Sequence, residues 1–339
     1  MDENDTSKEF NAEALRKVAS IIDSVIYLVR LINEHIARLC KSLESLPEEF
    51  TIWDIAKVMN DAMDSITTSM SLIANIAPSS KLCGEERSQD LWNLHAALII
   101  YHLEALMLLK HSLLSAFTGY YSAASIELRS AMESVVRGVV FDLLAIPEYR
   151  KNVKELQKIR GFRGAKSFPE LIELLEKRLG DKRSKVSVEI FDMIDKELEE
   201  FNPESAFTKL LLQLKDWGVI DDKLLEDIDS YYAELSRLVH RAHPRSSEVG
   251  IRVAAKRDLL DLEPVPEELF TYLHWFADLN GLFTYLVLKV FSIDLVQEDF
   301  KRCIDWSELS QDMQVASKLA ETYDFWKRVI EVLEQLKAS

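Results

Sequence analysis

Residues 229–245 read DSYYAELSRLVHRAHPR, and how this stretch is taken decides the fold. At about 100° per residue, Tyr232, Leu235, Val239 and Ala242 line up with the preceding Ile228 to form the apolar seam of an amphipathic helix. Arg237 falls on roughly the opposite side, with Arg241 near it and His240 on its flank. Pro244 disfavours helical geometry at His243, so the helix is expected to end there. Arg237, His240, Arg241, His243 and Arg245 therefore gather at one helix end, pointing away from their own core. Unpaired carbonyls make that end favourable for cations, which by itself accounts for such a cluster.

Working outward, the same 3.6-residue period recurs along the chain. It predicts helices over residues 8–45, 51–76, 91–117, 120–145, 148–159, 169–179, 187–201, 204–217, 267–295 and 306–336. Thr51 is placed to cap the second of these, and Thr118–Gly119 makes a tight joint that forces antiparallel neighbours. Nine glycines and eight prolines are few for 339 residues, and no alternating strand pattern competes. The expected fold is all-α, a multi-helix up-down bundle with helical extensions at both ends. Residues 1–84 read as an N-terminal long-helix hairpin, 85–297 as the core, and 298–339 as a C-terminal amphipathic helix packing on it.

The net charge of −16 opposes general binding to DNA or to anionic lipid. The balance is uneven, however. Residues 150–185 hold twelve Lys and Arg against five Asp and Glu, a local basic island that leaves RNA contact at a patch open. Within it IRGFRGAK, residues 159–166, sets Arg160, Arg163 and Lys166 around a glycine pair, where backbone amides can approach phosphate. An inter-helix loop is the plainer reading, because strands are missing. Cys40, Cys83 and Cys303 are scattered without CxxC spacing, so a reducing cytoplasm is expected, with neither zinc nor disulfides. The opening MDENDTSKEF is acidic and polar, unlike a secretory signal. The apolar run 91–117 is interrupted by His95, His102, Glu104, Lys110 and His111, which favours a buried helix over a membrane span.

Three constellations remain. His95 and His102 share a helix face and read as core histidines hydrogen-bonded to neighbours, rather than as metal ligands. Arg129, Glu133 and Arg137 form an i, i+4 ladder of alternating charge, read as structural. Arg237 and His243 are separated by five residues, and such a pair can cleave RNA without a metal. The imidazole moves protons while the guanidinium holds charge on phosphorus. No P-loop or GxSxG occurs, and no cofactor or metal is expected.

The order of these elements carries a resemblance. SIELRSAMESVVRGVV (residues 125–140) precedes a basic linker, then LKDWGVI (214–220), then a helix with a histidine-bearing exit. Over residues 91–249 this resembles the HEPN superfamily of helical bundles. The resemblance implies a bundle of four or five helices that often dimerises. In members with an R-x4–6-H motif it implies a metal-independent endoribonuclease, serving defence or stress, with a site shared across a homodimer. Arg237 would then hold phosphate, His243 would act as acid and base, and His240 would orient it. Arg241, Arg245, Arg160, Arg163 and Lys166 would bind RNA. The alternative is a non-catalytic helical interaction or ligand-sensing module.

Overall fold

In the computed structural model, which describes residues 51–76, 93–156, 177, 203–239, 250–251, 264–295 and 304–338, the described residues form nine helices and no strand. The fold is an all-α bundle. In chain order the helices are α1 (Ile52–Ile76), α2 (Ala96–Phe117), α3 (Tyr121–Leu144), α4 (Pro147–Arg150), α5 (Pro203–Asp216), α6 (Asp222–Val239), α7 (Pro266–Leu295), α8 (Trp306–Ala320) and α9 (Asp324–Ala338).

Local chemistry sets the ends. Thr51 and Asp54 cap α1 reciprocally: the Asp54 amide donates to Thr51 Oγ1 at 3.2 Å, and the Thr51 amide donates to Asp54 Oδ2 at 2.9 Å. Gly119, at φ 77°, closes α2, and the Tyr120 amide reaches back to the Ser115 carbonyl at 2.9 Å. The same device ends α5, where Gly218 sits at φ 71° and the Val219 amide donates to Leu214 at 2.9 Å. The buried Arg150 donates to the carbonyls of Leu144 and Ala145, closing the end of α3.

Two helices organise the packing. The long α7 lies against α1, α2, α3 and α9, while α3 takes α2, α5 and α6 on its other sides. Small residues let backbones approach. A Cβ on Gly138 would stand 2.7 Å from Tyr101 Cβ, so α2 and α3 meet closely there. A Cβ on Gly281 would stand 2.8 Å from Trp326 Cδ1 and 2.9 Å from its backbone nitrogen. Trp326 Nε1 donates to the Ala277 carbonyl at 2.9 Å, and Asp278 accepts from the Phe325 amide at 3.1 Å and from the Tyr231 hydroxyl at 2.7 Å. Asp278 thus caps α9 from a neighbouring helix. Burial raises its pKa.

Two expectations change. The single helix expected over 306–336 is two, α8 and α9, because the chain turns between them to seat Phe325 and Trp326 on α7. Of the helix expected over 148–159, the described residues up to 156 show only the short α4. Beyond it the Asn152 carbonyl accepts from Gln213 Nε2 at 2.8 Å and Trp217 Nε1 at 2.6 Å, while Gln213 Oε1 accepts from the Glu155 amide at 3.0 Å. These bonds use the backbone groups that a continuing helix would need.

By length and composition α2 and α7 could each cross a membrane; 83% of the apolar window in α7 is buried inside the protein, against 50% of that in α2. The uncovered half of α2 includes Ile100, Leu103, Met107 and Leu114, which are exposed.

Gly138→Ala and Gly281→Ala should each lower stability by about 1–3 kcal/mol, the usual cost of overpacking. Urea denaturation checks this: the midpoint should fall at constant slope. An unchanged midpoint would mean that these helices stand further apart.

Candidate functional site

The basic helix end is met first on α6. Ile228 and Leu235 are buried, while the Arg237 side chain is 62% exposed and ion-paired with Glu234, one turn back. Arg237 therefore projects away from the core. His240, Arg241, His243, Arg245, Arg160, Arg163 and Lys166 lie outside the described residues.

Arg129, Glu133 and Arg137 do come together, with an added partner. Arg129 Nε donates to Glu133 Oε1 at 3.1 Å, and Arg137 Nη2 lies 3.7 Å from Glu133 Oε2. The Tyr232 hydroxyl accepts from Arg129 Nη2 at 2.6 Å and donates to Glu133 Oε1 at 2.8 Å. The Tyr232 ring stacks on Phe207 at 4.1 Å, and the Arg129 guanidinium lies over its face. The ladder ties α3 to α5 and α6. Tyr232, assigned by periodicity to the core seam, carries this polar junction at its tip.

The two histidines of α2 divide sharply. His95 is fully buried at the start of the helix. Its Nδ1 lies 2.6 Å from Asp142 Oδ2 of α3, and its Nε2 lies 3.0 Å from Asp294 Oδ2 of α7. Only a doubly protonated ring has a proton for each carboxylate. Burial opposes that charge, yet the attraction of Asp142 and its hydrogen bond, with the added attraction of Asp294, outweigh it and raise the pKa to about 9. Both ring nitrogens face carboxylates, so no lone pair is left for a metal. Among the described residues no group of three or more His, Cys, Asp or Glu is disposed to hold one.

His102, two turns later, is 3% exposed, and among the described residues neither ring nitrogen has a hydrogen-bond partner. The expected hydrogen bond to a neighbour is absent there because the surrounding side chains are apolar. Uncompensated burial lowers its pKa to about 4, so the ring is neutral at pH 7. An orphaned buried polar group costs about 1–3 kcal/mol. His102 faces a cleft of about 200 Å³. Both α1 and α2 pack on α7 but hardly touch each other, and the cleft is the gap between them. Ile73, Leu106 and Val287 form its buried floor, while Met70 and Leu103, 41% and 56% exposed, flank its mouth. Among the described residues no charged side chain lines it.

The sequence reading missed Asp142, Asp294 and the cleft. A signal for the aspartates existed: VVFDLL (residues 139–144) and FSIDLV (291–296) each bury one carboxylate in an apolar run, where an unpaired charge is untenable. No family model matches this chain, and neither the curated proteins nor the solved structures contain a match.

The two histidines should shape stability in opposite directions. Unfolded, both titrate near 6.5. Above that pH only folded His95 keeps its proton, so its contribution is complete below about 6.5 and is lost as pH rises toward about 9. Below about 6.5 only unfolded His102 gains one, so stability falls as pH drops toward about 4. Each limb is worth about 3 kcal/mol at one pKa unit per 1.36 kcal/mol. Urea melts across pH 4–9 should show a maximum near 6.5, with His102→Leu flattening the acid limb and raising stability at pH 7. An acid limb identical in the two proteins would refute the neutral, orphaned state of His102.

Proposed function

We propose that this chain is a non-catalytic helical ligand-sensing module that takes a small apolar molecule into the cleft between α1 and α2. The observation that carries the reading is the cleft itself, an apolar recess of about 200 Å³ reached past exposed Met70 and Leu103. Apolar cavities of about 150 Å³ bind benzene-sized guests, so this volume suits roughly seven to ten heavy atoms. Exposed apolar side chains beside a recess are a common mark of a binding surface. Met70 and Leu103 gain most from a guest, because their apolar surface leaves water when the mouth is filled. Toluene should shift the NMR signals of cleft residues saturably, and Ala74→Trp at the exposed rim should abolish that binding while leaving the fold intact. Absence of saturable shifts in the unsubstituted protein would remove this reading.

A second reading, RNA cleavage by a HEPN-like homodimer in the cytoplasm, is favoured by the outward projection of Arg237 at the last turn of α6. In that reading Arg237 and His243 act together on the scissile phosphate. Single-stranded RNA incubated in EDTA should be cut by the unsubstituted chain and spared by Arg237→Ala and His243→Ala. Equal cutting by all three, or by none, would end it.

A further inference from the structure

Resting on the ligand-binding reading, we infer that His102 recognises a single neutral O–H or N–H group on the guest, so that the ligand class is a small phenol, alcohol or indole-like molecule. The cleft presents a sharp chemical contrast. Its lining among the described residues is aliphatic or thioether apart from one imidazole, which is 3% exposed and whose two nitrogens have no hydrogen-bond partner among those residues. A neutral ring offers one N–H donor and one bare nitrogen acceptor, which matches a hydroxyl, itself donor and acceptor. An indole N–H matches the acceptor alone. An anionic guest fits poorly, because no cationic side chain among the described lining would balance a carboxylate taken out of water. A hydrocarbon fits the walls but leaves the imidazole unanswered.

The position of His102 is fixed independently of any guest. His95, on the same face two turns earlier, is held by Asp142 and Asp294, and this sets the rotation of α2 about its axis. Ile73 and Leu106 beside His102 are buried, so the ring is backed by packed side chains. A donor or acceptor held rigidly in an apolar recess discriminates strongly against guests that lack its complement.

The test is a matched titration by calorimetry with phenol, toluene and benzoate as probes, run on the full chain and on His102→Leu. The full chain should bind phenol about ten-fold or more tighter than toluene, as one satisfied hydrogen bond implies, and should bind benzoate more weakly than either. His102→Leu should reverse the order and prefer toluene. Ring ¹⁵N shifts of His102 should move with phenol and stay still with toluene. Binding of toluene and phenol with equal affinity, or a preference for phenol that survives in His102→Leu, overturns the head-group assignment and leaves the cleft reading standing. Failure of all three probes to bind the full chain overturns both. Should His102→Leu fail to fold, the ¹⁵N shifts in the unsubstituted protein decide alone.

Discussion

The bundle depends on one buried imidazolium. His95 bridges Asp142 and Asp294, so three helices that meet at the centre, α2, α3 and α7, share a single charged junction with no exposed member. Such a junction is weak as a source of net stability, since desolvating three ionisable groups consumes much of the Coulomb gain. It is strong as a constraint. Any rotation or slide of α2 that breaks either contact leaves a carboxylate buried and unpaired, at about 3–5 kcal/mol. The junction therefore disfavours other registers of α2 against α3 and α7.

The rest of the architecture follows. Gly138 lets α2 close on α3, and Gly281 lets Trp326 seat α9 on α7. With α2 held on that side and α1 held on α7 by contacts that include the Thr284–Ser69 hydroxyl bond of 2.7 Å, a gap is left between α1 and α2. The cleft is thus a product of two helices each committed elsewhere. Its histidine is the inverse of His95: the same residue on the same face, but with no hydrogen-bond partner among the described residues. One fixes the helix; the other is the residue that we propose recognises a guest. Retaining an unsatisfied buried group at a cost to stability is the pattern expected where binding, rather than folding, sets the residue.

Much of this was legible in the sequence. The period of the apolar residues marked α1, α2, α3, α5, α6 and α7, and Thr51 and Gly119 marked the start of α1 and the end of α2, because capping and turn chemistry are local. The failures were non-local. Nothing within residues 148–159 foretold that Gln213 and Trp217 would capture the Asn152 carbonyl, and nothing within 306–336 foretold that Asp278 would cap a second helix at Phe325. The two histidines looked alike for the same reason. Their difference lies in Asp142 and Asp294, 47 and 199 positions further on from His95, and in how α1 and α2 diverge over α7.

The most direct test is a histidine side-chain NMR titration of the full chain between pH 4 and 9.5, reading ring ¹⁵N shifts for His95 and His102. The account predicts an imidazolium at position 95 that persists past pH 8 and loses its proton near 9, and a neutral ring at position 102 that takes up a proton only near 4. Two histidines titrating together near 6.5 would contradict it.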